Sequence, residues 1–251
     1  MLQVYFRFYG DLNDFLPAVK RQTRFVHFLK EPASIKDVIE SLGPPHPEVD
    51  LILVNGASVD FNYLLRGGEN VSVYPLFRSL NIAPISQVRP PSLTEARFVL
   101  DVHLGKLAIY LRLLGFDGLY QNNYSDPQLA ELAHRDRRIL LTQDRALLKR
   151  SIIRYGYCVR ASDPMQQLQE VLRRFQLFDA IAPFQRCLRC NGRLKPVEKA
   201  EICDRLEPLT QKYYTEFRIC QDCQQIYWKG SHYERMQTLI DGVLKTKPLE
   251  S

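Results

Sequence analysis

No apolar run in this 251-residue chain approaches the ~18 residues that a membrane span requires, so a bilayer-crossing helix is excluded. The opening stretch, "MLQVYFRFYGDL", lacks the basic head and apolar core of a secretory leader. An intracellular, cytoplasmic location is therefore expected, and there thiols usually stay reduced. Internal repeats and low-complexity tracts are missing. So are the signatures of nucleotide binding: no GxGxxG follows a strand, and GxxxxGK[ST] does not occur. Net charge is lacking in one part only. Residues 1–82 carry eight Lys/Arg against nine Asp/Glu, whereas residues 83–251 carry 26 against 19. An anionic partner is thus expected for the second part alone.

What is present is an ordinary globular composition, 45% hydrophobic and 25% charged. The first segment, residues 1–77, reads as two strands ("QVYFRFYG", "TRFVHFL"), a helix and further strands. In "SIKDVIESLG" the apolar Ile35, Val38, Ile39 and Leu42 recur at helical spacing, with Ser34 as N-cap and Gly43 as stop. Residues 78–93 hold Pro84, Pro90 and Pro91 and read as a stiff linker. Over 94–180 strands and helices alternate, which implies α/β architecture with a parallel sheet covered on both faces. Residues 181–235 hold five of the six cysteines, four of them in two CxxC pairs, and 236–251 read as a helix and loose tail.

The stretch "RILLTQDRALLKR" poses the functional question. A short apolar run ends in a carboxylate, Asp144, just before a helix. Such an Asp can simply cap the helix. Yet Asp101 also ends a strand, Asp126 follows the second, and Asp163 lies past the fourth. Ligands of open α/β sheets bind beyond the carboxyl ends of the strands. Carboxylates there suit Mg²⁺ or Mn²⁺, which can orient water and neutralise charge on a phosphate. "SDP" at 125–127 and 162–164 fits the alternative, with Asp as N-cap and Pro at the first helical position. Thr142 is placed to donate a hydrogen bond to a carboxylate or a metal-bound water.

On "FVLDVHLGKLAIYLRLLGFD", "SDPQLAELAHRDRRILLTQDRALLKR" and "YCVRASDPMQQLQEVLRRF", residues 97–180 resemble the PIN-like RNase domain named from the C-terminal part of the mut-seven exonuclease. The resemblance implies a three-layer α/β/α nuclease, a ribbon after it, and a ubiquitin-like extension before it. It implies metal-dependent RNA hydrolysis through Asp101, Asp126 and Asp144, with Asp163 matching less clearly. The competing reading is a non-catalytic RNA-binding or scaffold protein that retains the fold. "LILVNGASVDF" and "LLRGGENVSVYPLF" resemble β-grasp sulfur carriers, but no free Gly-Gly end follows "VYPLF". The first domain is therefore expected to dock a protein partner or to play a structural part. Its removal is expected to leave a working core.

Between 130 and 160 there are eight Lys/Arg against three Asp/Glu, a pattern suited to phosphate contacts. Lys106, Arg112 and Arg145 are the candidate substrate contacts. "RCLRCNGRL" and "RICQDCQQIYW" place Cys187-x-x-Cys190 and Cys220-x-x-Cys223 29 residues apart. Two such turns make a closed four-sulfur zinc site, structural rather than catalytic. The first carries Asn191-Gly192, which suits a tight reversal; the second has Gln224-Gln225, so its turn is expected to differ. The ribbon aromatics serve either its small core or stacking on RNA bases.

Overall fold

The computed structural model describes residues 1–77 and 80–248. The first two linker positions and the last three of the tail lie outside the described residues. In chain order the elements begin with β1 (Leu2–Phe8), β2 (Phe25–Leu29), β3 (Ala33–Ser34), α1 (Ile35–Leu42), β4 (Val49–Val54), β5 (Ala57–Ser58), β6 (Leu64–Leu65) and β7 (Asn70–Pro75). Then come β8 (Arg97–Leu100), α2 (Gly105–Leu113), β9 (Asp117–Leu119), α3 (Asp126–Arg135), β10 (Ile139–Thr142), α4 (Arg145–Leu148), β11 (Gly156–Cys158) and α5 (Pro164–Arg174). The cysteine region follows with β12 (Leu194–Val197), α6 (Lys199–Ile202), α7 (Pro208–Tyr213), β13 (Phe217–Cys220), β14 (Ile226–Trp228) and α8 (Ser231–Leu244). The fold is mixed α/β, and no described helix is long and apolar enough to cross a membrane. Two compact units are formed: residues 1–94 with 125–158, and residues 95–124 with 159–251.

In the first unit a five-stranded sheet runs β2-β1-β7-β4-β5. Its central pair, β1 and β7, is parallel, and the flanking pairs are antiparallel. Alternation in β1 buries Val4, Phe6 and Phe8, while Ile35, Val38 and Ile39 face inward from α1. This is the β-grasp arrangement. Ser34 Oγ accepts from Asp37 N at 3.1 Å, and Gly43 ends α1 at φ +137°. An added Cβ at Gly43 would also lie 2.5 Å from the Phe15 carbonyl oxygen, so only glycine fits.

The same unit holds the α3–β10–α4–β11 stretch. β10 and β11 pair in parallel, with Leu140, Leu141 and Thr142 opposite Gly156, Tyr157 and Cys158. The apolar spacing of 145–153 predicts a longer helix than forms. α4 is one turn, because its Lys149 and Arg150 amides close 3-10-type bonds to Ala146 and Leu147.

In the second unit β8 and β9 pair in parallel, and α2 packs on α5. The predicted stripe of Leu104, Leu107, Ala108, Leu111 and Leu114 is fully buried. Phe98 sets its ring edge-on to Phe116 and Phe175. The cysteine region forms a three-stranded antiparallel sheet, β12-β13-β14. Its core is Ile202, Phe217, Ile219 and Ile226, with Val197, Leu206 and Tyr214 packed against it. Phe217 and Tyr214 are thus structural, as a small domain requires.

Candidate functional site

The four cysteines converge. One ligand atom from each of Cys187, Cys190, Cys220 and Cys223 lies within 4.8 Å of the others. Cys187 Sγ is 3.5 Å from Cys223 Sγ, and Cys190 Sγ is 3.4 Å from Cys220 Sγ. A tetrahedron with metal–sulfur bonds of about 2.3 Å needs sulfur separations of about 3.8 Å, so the donor set fits a four-sulfur ion after a small relaxation.

The two turns that present them are alike, contrary to the sequence expectation. Asn191 N donates to the Cys187 carbonyl at 2.9 Å, and Gln224 N donates to the Cys220 carbonyl at 3.1 Å. Asn191 and Gln224 both take left-handed φ values, 73° and 59°. Cys187 N and Cys220 N then close each loop onto the Gly192 and Gln225 carbonyls. Gly192 is needed for a different reason than the reversal. A Cβ there would lie 2.5 Å from Asp222 Oδ2 and 2.8 Å from Cys220 Sγ, so the second turn sits directly against it.

The thiols are electrostatically unequal. Burial pushes Cys187 up, but hydrogen bonds from the Tyr227 hydroxyl and the Cys190 and Arg189 amides outweigh it and lower it to about 7. Burial and the neighbouring thiols push Cys190 up to about 12. The Cys187 thiolate forms readily while burial makes Cys190 and Cys223 resist, which is the situation a divalent cation resolves by displacing the protons.

Arg112, expected to touch substrate, is instead spent inside the fold. It is 3% exposed. Nε donates to the Gly118 carbonyl at 2.8 Å, and Nη1 donates to Leu188 and Arg189 carbonyls at 3.0 and 3.1 Å. Burial lowers its pKa, and the sulfurs of Cys187 and Cys190 and the Asp117 carboxylate oppose that shift. Its planar fork thus fastens the first cysteine turn to the β9 region. Asn191 reinforces the joint: Oδ1 accepts from Gly118 N, and Nδ2 donates to Asp117. Sequence reasoning missed Asn191 as a joint, because its turn role alone accounted for it.

The aspartates are each placed at a chain turn. Asp101 is buried and starts a 3-10 turn, accepting from Val102 N. Asp144 is exposed; its Oδ1 accepts from Ala146 N at 2.7 Å, and its own N–H donates to Thr142 Oγ1 at 2.9 Å. Asp163 is a full N-cap, accepting from Met165 N and Gln166 N, both at 3.0 Å. Asp126 departs from the expected cap. Ser125 takes that position, and its N–H donates to Gln128 Oε1 at 2.9 Å. Asp126 is left exposed in the first turn of α3, where the helix dipole favours a carboxylate.

Among the predicted phosphate contacts, Lys106 is exposed on α2. Arg145 is exposed too, with its guanidinium 5.1 Å from the Phe15 ring centroid. Part of the basic run is already engaged: Arg135 and Arg138 pair with Asp136. His103 and His232 are exposed, and Cys158 is buried. A cavity of about 450 Å³ opens on the cysteine sheet, lined by Phe184, Arg218, Trp228, Lys229, Tyr233 and Met236 among others.

Comparison with known families gives two matches. The Mut7-C RNAse domain model matches residues 96–240, more than half of the chain, and the Mut7-C ubiquitin model matches residues 1–81. Comparison with curated proteins and with solved structures gave no match. The chain belongs to the Mut7-C RNAse domain family, and carries a Mut7-C ubiquitin domain ahead of that domain.

Proposed function

We propose that the protein is a metal-dependent ribonuclease. The observation that carries this reading is the RNAse-domain match over the stretch that contains Asp101, Asp126, Thr142, Asp144 and Asp163. Asp101 and Asp144 hold Mg²⁺ or Mn²⁺, hard cations that prefer carboxylate oxygen. The metal, when bound, supplies an activated water and neutralises charge on the scissile phosphodiester. Asp126, unencumbered by capping, adds a carboxylate at a helix start, and Thr142 orients Asp144 through its backbone. Asp163 contributes least, since both its described bonds are those of a cap. Lys106 and Arg145 take backbone phosphates. The cysteine site holds one structural Zn²⁺, because four sulfurs leave no open position for a reacting water. The ribbon cavity, with Trp228 beside Arg218 and Lys229, accepts an unpaired base and its phosphate.

The competing reading is an RNA-binding protein without catalysis. The local capping roles of Asp101, Asp144 and Asp163 favour it, since a fold can need these carboxylates with no metal at all. The deciding experiment is cleavage of a panel of unstructured and hairpin RNAs by the full chain with Mg²⁺ or Mn²⁺, beside Asp101→Asn. Cleavage by the wild type alone supports the nuclease. Equal cleavage by both proteins, or binding without cleavage by either, removes it.

A further inference from the structure

The ubiquitin-like domain was expected to be separable. In the first unit it is bonded to β11 and to the segment after α4, the elements that flank the turn carrying Asp144. β11 is an edge strand, whose outward N–H groups need a partner. Glu48, 1% exposed in the turn before β4, provides one: its Oε1 accepts from Cys158 N at 2.7 Å. Cys158 is the register partner of Thr142 across the β10–β11 pair. Thr142 Oγ1 in turn accepts from Asp144 N. Hydrogen bonds and strand pairing thus lead from Glu48 through the β10–β11 pair to the backbone of Asp144, whose side chain is proposed to hold metal.

Three further ties hold the same corner. Buried His46 places Nδ1 2.7 Å from Glu40 Oε1 and Nε2 2.7 Å from the Ile153 carbonyl oxygen. Lys149 Nζ, just past α4, donates to the Glu40 carbonyl at 2.5 Å. Arg145, the residue after Asp144, lies over Phe15. A detachable module would not place buried polar groups such as Glu48 and His46 where removal of the domain strands their partners.

We propose that the ubiquitin-like domain is a working part of the nuclease, with Glu48 and His46 as positioning residues for the Thr142–Asp144 turn. The proposal rests on the ribonuclease reading for its catalytic consequence, but its structural consequence is measurable without it. Asp144 is held from its own strand and from a neighbouring domain at once, as a metal-holding side chain on a one-turn helix requires. A domain of near-neutral charge thereby acts on the rate through the turn it supports.

The test uses the full chain loaded with zinc. Glu48→Ala, Glu48→Gln, His46→Gln and Lys149→Ala are compared in two measurements. The first is amide hydrogen exchange at Cys158, Asp144 and Ala146. The second is kcat and KM on a short unstructured RNA with Mn²⁺. Glu48→Ala should speed exchange at all three amides and lower kcat on the order of tenfold to a hundredfold with KM unchanged, the signature of a misplaced carboxylate. Glu48→Gln keeps an acceptor oxygen and should restore most of both. If Glu48→Ala does not fold, His46→Gln and Lys149→Ala decide, with smaller losses in the same direction. Faster exchange confined to Cys158, or unaltered kcat in variants whose exchange shows the joint broken, overturns the proposal. Were the wild type inactive on RNA, the nuclease reading alone would fall, and exchange at Asp144 would still decide the coupling.

Discussion

The four cysteines and the four aspartates were both picked out by their position at chain turns, and the structure treats them differently. The cysteines point at one another, from two turns with matching hydrogen bonds, Asn191 N to Cys187 O and Gln224 N to Cys220 O. Three of the aspartates instead begin a helical turn by taking a nearby amide: Asp101 from Val102, Asp144 from Ala146, Asp163 from Met165 and Gln166. A sulfur cluster has little purpose in a fold except to hold a metal. A carboxylate at a strand end always has a second one. The cysteine motif therefore carries its function in its spacing, and an aspartate carries it only through its charge.

That difference can be broken experimentally, starting with the largest effect. Cys220→Ser, or exhaustive chelation, should unfold the β12–β14 sheet. Structural zinc contributes on the order of 10 kcal/mol or more to such small domains, far above what the core of Ile202, Phe217, Ile219 and Ile226 can replace. Metal analysis should find about one zinc per chain in the wild type and none in the variant. Retention of the ribbon's amide dispersion after chelation would show that the sulfurs are merely adjacent.

Asn substitutions separate charge from capping in the aspartates, because Asn caps about as well as Asp. Asp101→Asn and Asp144→Asn should keep their melting temperatures. Their cleavage rates should fall on the order of a thousandfold, corresponding to several kcal/mol of metal-borne charge stabilisation. Asp163→Asn should change both quantities little, whereas Asp163→Ala should cost about 1 kcal/mol of stability through the lost cap. A rate loss in Asp163→Asn equal to that in Asp144→Asn would erase the ranking drawn from their bonding.

Arg112→Lys probes the joint between the cysteine turn and the β9 region. Lysine cannot reach Gly118, Leu188 and Arg189 carbonyls together, and leaving the buried Gly118 carbonyl unpaired costs about 1–3 kcal/mol. The expected readout is a lower melting temperature with little change in RNA affinity. A large loss of RNA affinity without destabilisation would return Arg112 to the substrate.

How much of this was readable in the chain follows from the same contrast. The α1 boundaries at Ser34 and Gly43, the buried stripe of α2 and the cysteine quartet were legible, because local spacing determines each. Arg112 was not. On a helix its spacing suits exposure as well as burial, and only the carbonyls of distant Leu188 and Arg189 explain its position. The equivalence of the cysteine turns was hidden for a related reason: glycine at 192 relieves contact with Asp222, and the reversal itself tolerates Gln224. Glu48 and His46 belong to no motif or periodic pattern, so nothing in the local sequence marks them. Their partners, Cys158 and the Ile153 carbonyl, lie more than a hundred residues away in sequence.

The most direct measurement of the central claim is single-turnover cleavage of one unstructured RNA by the zinc-loaded full chain in Mn²⁺, with Asp144→Asn alongside. The account predicts phosphodiester hydrolysis by the wild type that stops when Mn²⁺ is chelated. It predicts that Asp144→Asn still binds the RNA and melts at the same temperature, but leaves it uncut. Cutting by Asp144→Asn at the wild-type rate would contradict the account and leave Asp144 as the cap of a four-residue helix.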